Sequence, residues 1–423
     1  MTYRTGSHGE KVSLLGYGAM RYPTVDGGHA NSFHGGSSAP IDLEKVQQHI
    51  DSCIEGGVNY FDTSPAYCRG ESEKVLGDAL SKHPRDKWFV ATKLSNFAPK
   101  TQSFEASRKM YEKSRRLLKT DVIDFYLLHS IGGGGKNSMK VFNARFIDNG
   151  MLDFLLKERA AGRIRNLGFS FHGDEAVFRH ALSMHDKVHW DFVQIQLNWV
   201  DWHYAKAINP RNVNAEVLYG LLAERHIPVV VMEPLLGGRL ARLNEAVMHK
   251  LTPYDPTATP AAWSFRFAGS CPDVLTVLSG MTYQEHIDEN VGTYSPLKPL
   301  DEREREALMR AARAFMSDDN IPCTACDYCM PCPYGLDIPG IFNFWNQAVL
   351  DGRLPDDDTD PGYAANRRRF LADYRRTVPH LREAQRCIGC GRCTPHCPQS
   401  IDIPAMLRKV DILVEKLRRN GRA

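Results

Sequence analysis

A chain of 423 residues with a formal net charge of +3, 43% hydrophobic and 24% charged residues, has the composition of a soluble protein. So small a charge gives no field for nucleic acid or an anionic membrane surface, and no run of about eighteen apolar residues offers a bilayer span. Met1 to Glu10 lack the apolar stretch of a secretory signal, so a cytoplasmic protein is expected.

Short β-rich runs recur along the chain at Val12–Met20, Val58–Thr63, Trp88–Lys93, Val122–His129, Ile164–Ser170, Phe192–Asn198, Ile227–Glu233 and Val274–Gly280. Helical patterns lie between most of them, among them Asp42–Glu55, Glu71–Lys82, Ser103–Leu118, Asp174–Met184 and Val213–Arg225. In the third of these, Phe104, Tyr111 and Leu118 recur every seven residues and share one face. Eight alternating units with near-continuous apolar strands predict an α/β fold, a (β/α)8 TIM barrel over residues 1–300. A doubly wound open sheet is the alternative, but no strand is followed by the G-x-G-x-x-G turn; Leu15-Gly16-Tyr17-Gly18 holds a lone G-x-G. Two loops are long enough to shape specificity. Pro23–Pro40 is rich in Gly, Ser and His, and Ile131–Phe146 contains Gly132-Gly133-Gly134-Gly135-Lys136, which lacks the P-loop register and reads as a mobile flap beside the substrate.

Ionisable residues collect at the ends of the predicted strands, where a barrel keeps its chemistry: Asp62 after the second, Lys93 at the end of the third, His129 at the end of the fourth. Singly each has a structural explanation, as a cap, a solvated strand end or a core histidine. Jointly they would converge on one rim, where an unpaired charge is costly and pairing is expected. The run Asn59-Tyr60-Phe61-Asp62-Thr63-Ser64-Pro65-Ala66-Tyr67, followed by Glu71-Ser72-Glu73 and Leu76-Gly77, resembles the signature of the aldo-keto reductase superfamily. Lys93 and His129 complete its catalytic tetrad in the order of that family. The resemblance covers roughly residues 11 to 295 and implies reduction of a small carbonyl to an alcohol by a nicotinamide cofactor.

In such a tetrad Tyr67 is the proton donor to the carbonyl oxygen, and moving a tyrosine toward neutral pH requires roughly 3–4 kcal/mol of preferential phenolate stabilisation. Lys93 supplies it, Asp62 holds Lys93 by an ion pair, and His129 orients the carbonyl. The same resemblance implies an NADPH or NADH site across the barrel mouth. Met20 would border it, Ser170 and Gln194 would hold the carboxamide, and Met232 stands where many members have a stacking tyrosine. Glu233, Pro234, Leu235 and Gly237 would line the pyrophosphate; Ser279, Gly280, Met281, His286, Glu289 and Asn290 match the adenosine-binding segment. Three positions depart from the pattern. The usual Asn after the serine is replaced, the chain reading Gly168-Phe169-Ser170-Phe171-His172, and Gly280 and His286 replace the Lys and Arg of NADPH-preferring members, removing the partners of a 2′-phosphate.

Eight of the eleven cysteines fall in two groups, Cys323-x2-Cys326-x2-Cys329-x2-Cys332-Pro333 and Cys387-x2-Cys390-x2-Cys393-x3-Cys397-Pro398. The second is the bacterial ferredoxin run for [4Fe–4S] clusters; by its cross-ligation rule, Cys323, Cys326, Cys329 and Cys397 hold one cluster, and Cys387, Cys390, Cys393 and Cys332 the other. A zinc site is the alternative for C-x2-C pairs. The remaining Cys53, Cys68 and Cys271 are expected to be inert core thiols. About fifty-five residues separate the groups, with Ile338–Leu350 and Asn366–Tyr374 as candidate helices. The chain thus resembles iron-sulfur aldo-keto reductases, with residues 301–423 forming a mainly helical two-cluster ferredoxin-like domain. Arg367-Arg368-Arg369, Arg375-Arg376 and Arg418-Arg419 make this end basic, a solvated face or a docking surface for an electron carrier. From a different functional class, the alternative is a redox sensor or electron-transfer adaptor on a catalytically silent barrel.

Overall fold

The computed structural model describes residues 1–30, 37–316, 320–351, 353–355, 362–397, 399 and 401–419. Residues 31–36 of the first long loop, and Pro398, lie outside the described residues. Eight parallel strands close into a barrel in chain order: β1 Leu15–Gly18, β2 Tyr60–Asp62, β3 Phe89–Leu94, β4 Ile123–Ile131, β5 Ile164–Phe171, β6 Phe192–Gln196, β7 Val229–Met232 and β8 Val274–Ser279. β8 pairs back onto β1 with Val277 beside Leu15 and Ser279 beside Tyr17. Strands such as Val-Val-Val-Met in β7 are apolar throughout because one face points into the barrel and the other toward the helices.

The outer layer includes α1 Leu43–Glu55, α2 Ser72–Leu80, α3 Phe104–Leu117, α4 Met151–Ala160, α5 Glu175–Ser183, α6 Ala215–Ala223, α7 Pro260–Gly269 and α8 Gln284–Thr293. Asp42, Ser103 and Asp174 cap α1, α3 and α5 by accepting hydrogen bonds from the backbone N–H of Lys45, Ala106 and Ala176. Of the expected apolar stripe on α3, Tyr111 and Leu118 are buried, whereas Phe104, in the first turn, is 42% exposed and meets Phe154 edge-on. Gly77 lets α2 pass against the end of α3, since a Cβ there would lie 2.1 Å from the Leu117 carbonyl oxygen.

Two expectations are corrected. The run Val12–Met20 is two elements, a strand Lys11–Ser13 paired antiparallel with Tyr3–Thr5, and the barrel strand β1. Val12 sits in the interior cluster with Tyr60, Phe125 and Phe192, so this hairpin closes the N-terminal end of the barrel. The loop Ile131–Phe146 is not a free flap. It winds through a turn at Gly135–Asn137, a helix Ser138–Phe142 and a wider turn Asn143–Ile147, and it buries Phe142, Arg145 and Phe146. The apolar pair four residues apart, with ring centroids 5.6 Å apart, anchors it.

The chain divides into two compact units, one made of Met1–Leu235 and Ala261–Arg305, the other of Leu236–Pro260 and the chain from Glu306 onward. In the second unit three helices, Ile338–Leu350, Tyr363–Thr377 and Ile403–Arg419, share a core that includes Phe342, Trp345, Phe370, Tyr374, Val410 and Val414.

Candidate active site and iron-sulfur module

Because side chains alternate across a strand, residues two apart share the barrel's inner face. The inner rows run Tyr60–Asp62 in β2, Phe89–Ala91–Lys93 in β3 and Phe125–Leu127–His129 in β4, apolar below and ionisable at the C-terminal rim. The parallel register sets Asp62 beside Ala91 and Lys93 beside Leu127, which brings the three functional ends together.

Lys93 is fully buried, and its Nζ donates to Asp62 Oδ1 at 2.5 Å and to the Thr63 carbonyl at 2.9 Å. Burial pulls the Lys93 ammonium down and pushes the Asp62 carboxyl up, each shift opposed by the charge of the other. The same Nζ lies 4.8 Å from the centre of the Tyr67 ring, and that ring meets His129 edge-on at 5.9 Å. Asp62, Lys93, Tyr67 and His129 therefore form one cluster. Tyr67 opens a tight turn, Tyr67–Gly70, in which Cys68 and Arg69 have φ of 48° and 56°. Ser72 Oγ steadies this strained segment by bonding the Ala19 carbonyl at 2.7 Å and Thr63 Oγ1 at 2.7 Å.

Burial, then the nearby charges of Lys93, Arg145 and His172, hold His129 well below the ordinary histidine range, so its imidazole is neutral. Its Nδ1 is 2.6 Å from Ser95 Oγ. Arg145 grips the strand end from behind, donating to the carbonyls of His129 at 2.6 Å and Ser130 at 3.2 Å and to Asn96 Oδ1 at 3.1 Å. Sequence reasoning missed Ser64, Ser95 and Arg145. The serines carried a signal, each standing two residues beyond a tetrad residue; Arg145 lay in the loop read as a flap.

Of the expected cofactor residues, Ser170, Gln194, Met232 and Ser279 lie on β5 to β8, Met20 follows β1, and His286, Glu289 and Asn290 lie on α8. Ser170 and Gln194 are cross-strand neighbours. Ser170 Oγ accepts the Ser130 N–H at 2.8 Å, and Gln194 Nε2 faces Met232 Sδ at 3.5 Å while its buried Oε1 has no hydrogen-bond partner among the described residues. An unmet acceptor and a thioether beside it fit the amide and ring of a nicotinamide. Glu233 follows with φ of 56°, its carbonyl accepting from Asn198, ahead of Pro234 and Leu235. Ser279 accepts from Asn290 at 3.1 Å. Gly280 and His286 are exposed, Glu289, Met20 and Met232 are partly buried, and Met281 is buried in the core. Burial pushes His172 down to about 4. Gly237 belongs to the second unit, where φ is 66° and a Cβ would lie 2.3 Å from that of Thr324.

In the second unit Cys323, Cys326, Cys329 and Cys397 line one recess, walled by Ile338, Pro339, Phe342, Ile401 and Ile403. This is the ligand set that cross-ligation requires, three thiols from one run and the last of the other. Cys332, Cys387 and Cys393, three of the four ligands expected for the second cluster, pack against the core of the second unit. No three His, Cys, Asp or Glu side chains among the described residues close around a point as ligands of a single ion would. The two runs also share a backbone pattern: φ is positive two and four residues after the first cysteine, at Ala325 and Asp327 in one and Gly389 and Gly391 in the other. That turn aims the Ala325 N–H at Cys323 Sγ, 3.4 Å away. The two sites differ in exposure, since Cys390 is exposed whereas the first recess is apolar. Of the basic run, Arg418 chelates the buried Glu383 at 2.8 and 3.0 Å, Arg367 bonds the Leu417 carbonyl at 2.7 Å, and Arg376 pairs with Asp373 at 2.7 Å. Cys53, Cys68 and Cys271 are buried in the barrel unit.

Residues 322–401 match the 4Fe-4S dicluster domain, so the module carries the ligands of two [4Fe–4S] clusters. Over 314 residues the chain is 26% identical to an L-galactose dehydrogenase of Arabidopsis thaliana, covering 70% of this chain and 88% of that one. An uncharacterized oxidoreductase of Mycobacterium bovis is 26% identical over 322 residues, 72% of this chain and 91% of the relative. Among solved structures, the holo form of an aldo-keto reductase from Bacillus halodurans superposes with a TM-score of 0.56 at 23% identity, covering 74% of this chain and 97% of its own. One from Klebsiella pneumoniae in complex with NADPH gives 0.53 at 20%, covering 76% and 98%. The match to the aldo/keto reductase family runs over residues 15–312, and the chain belongs to that family.

Proposed function

We propose that this oxidoreductase interconverts a small carbonyl compound and its alcohol with NADH or NADPH, using Tyr67 as general acid. The observation that carries this is the Lys93 ammonium, pinned by Asp62 at 2.5 Å and set 4.8 Å from the Tyr67 ring. A buried cation beside a phenol stabilises the phenolate left once the proton has moved to the nascent alkoxide, and water is too scarce there to screen it. His129, neutral, lends a hydrogen bond to the same oxygen and so polarises the carbonyl without a competing charge. The nicotinamide, when bound, supplies the hydride. Ser170, Gln194 and Met232 would hold its carboxamide and ring, and the NADPH complex of the Klebsiella structure supports a nicotinamide cofactor. An exposed Gly280 and His286 offer no fixed cation to a 2′-phosphate, which favours NADH binding within about tenfold of NADPH. The sugar L-galactose, named for the Arabidopsis relative, supports a sugar or other hydroxyaldehyde as substrate class. Hydride chemistry moves two electrons and a cubane one, so the clusters serve structure in this reading.

Tyr67→Phe should lower carbonyl-dependent NADH oxidation by about 10²–10⁴-fold while nicotinamide binding, followed by fluorescence, stays within about twofold. Wild-type turnover by that variant would refute the assignment. Chemical reduction of the clusters should leave turnover unchanged.

A further inference from the structure

Three polar side chains behind the tetrad form a chain whose direction can be counted. Ser64 Oγ accepts the Ala66 N–H at 3.1 Å and lies 2.8 Å from Ser95 Oγ, which lies 2.6 Å from His129 Nδ1; Ser64 Oγ itself is 3.3 Å from that nitrogen. Both serines are buried, at 0% and 8% exposure, so their hydroxyl protons depend on one another and on the imidazole. A neutral imidazole carries one N–H, on Nδ1 or on Nε2. With the proton on Nδ1, His129 donates to a serine oxygen, and the contact between the two hydroxyls can absorb only one of their two protons. One buried hydroxyl is then left without an acceptor. With Nδ1 bare, Ser64 donates to Ser95 and Ser95 donates to Nδ1, so every proton is used.

We infer that Ser64 and Ser95 are positioning residues that hold His129 in its Nε2–H tautomer, so that the nitrogen on the side away from the serines is a fixed donor. Ser64 Oγ takes the Ala66 N–H on one of its two acceptor sites whichever way the hydroxyls point, so the tautomer is fixed by the count of protons. Phe97, 4.9 Å from the imidazole, and the Tyr67 ring at 5.9 Å limit rotation that would exchange the two nitrogens. The two serines thereby tie the orientation of the tetrad histidine to the same segments that carry Asp62 and Lys93. What the donor does in turnover rests on the carbonyl-reductase reading; the tautomer itself does not.

Two measurements on the anaerobically prepared full chain separate these. In protein labelled with ¹⁵N at histidine, with His129 assigned by its loss in His129→Gln, the long-range proton–nitrogen pattern should be that of Nε2–H, and a pattern of Nδ1–H would overturn the inference whether or not carbonyls are reduced. Ser95→Ala should weaken that preference and lower kcat by about tenfold, equal to about 1.4 kcal/mol, with nicotinamide affinity unchanged. Ser95→Thr, which keeps the hydroxyl, should restore kcat to within about threefold, and a packing defect alone would not be rescued in this way. Should Ser95→Ala retain both the Nε2–H pattern and wild-type kcat, the serines do not set the tautomer. If Tyr67→Phe is fully active while the wild-type pattern is Nε2–H, the carbonyl-reductase reading fails and the relay stands.

Discussion

The two chemical centres of this chain are organised by opposite means. At the barrel rim the protein meets its own charges: Lys93 is bound by Asp62 and the Thr63 carbonyl, and His129 by Ser95. The cysteine recess contains four thiols with Ile, Pro and Phe walls, and burial pushes Cys323 up to about 12. A site built from internal ion pairs can stand without its ligand, whereas one built from thiols gains its order when iron draws them together.

Removing iron tests this contrast most strongly. Anaerobic chelation should cost the second unit the binding free energy of its clusters, on the order of 10 kcal/mol for structural metal sites, and melt its helices. Five of the six tryptophans, Trp88, Trp190, Trp199, Trp202 and Trp263, lie in the barrel unit, so their fluorescence should change little while helical circular dichroism falls. Retention of all helical signal after complete iron loss would remove the contrast. The converse test breaks the barrel's own pairing. Lys93→Met strands the Asp62 carboxylate in a buried place and should cost about 3–5 kcal/mol of stability, beyond lost turnover. Asp62→Asn added to it should recover part of that loss, measured by urea unfolding of the barrel; no recovery would mean that the pair is not what Lys93→Met damaged.

Much of the first centre was legible in the sequence and little of the machinery behind it. The inner-face parity of Tyr60 with Asp62, and of Phe125 and Leu127 with His129, is a two-residue rhythm that any reader of strands can follow. Arg145 was invisible because its role depends on where a loop of glycines folds back, and four glycines say only that the backbone is permissive. Clustered cysteines announced the iron ligands by spacing, since cubane geometry dictates it. The left-handed residues inside the first run gave no such sign, because Ala and Asp do not advertise positive φ as glycine does. The assignment of Leu236–Pro260 to the second unit was equally hidden, being a matter of contacts made at Gly237 with Thr324.

A smaller effect is expected from pH. His129 and His172 are neutral in the fold, and burial holds the second at about 4, whereas in the unfolded chain a histidine takes up a proton near ~6.5. Below that value the unfolded state binds more protons, so this contribution to barrel stability is complete above about 6.5 and drains away as the pH falls toward 4. For His172 the loss across that window is about 3 kcal/mol. His172→Gln should flatten the dependence in barrel melts followed by tryptophan fluorescence between pH 7 and pH 5. An unchanged slope would show that another group carries the acid sensitivity.

The finest distinction lies between the two cysteine runs themselves. Ala325 and Asp327 adopt φ of 48° and 62° where the second run has Gly389 at 72° and Gly391 at 68°. An L-residue in that region carries a steric penalty of roughly 1–2 kcal/mol, lessened for Asp by its local hydrogen bonding, and Gly escapes it at an entropic cost of roughly 0.5–1 kcal/mol. Ala325→Gly should therefore stabilise the holo module by about 0.5–1 kcal/mol, Asp327→Gly should be close to neutral, and Gly389→Ala should destabilise by about 1 kcal/mol. Loss of cluster absorbance during anaerobic urea unfolding reads all three. If Ala325→Gly destabilises as much as Gly389→Ala, the Ala325 methyl contributes packing that outweighs its strain, and the two runs are not conformational equivalents.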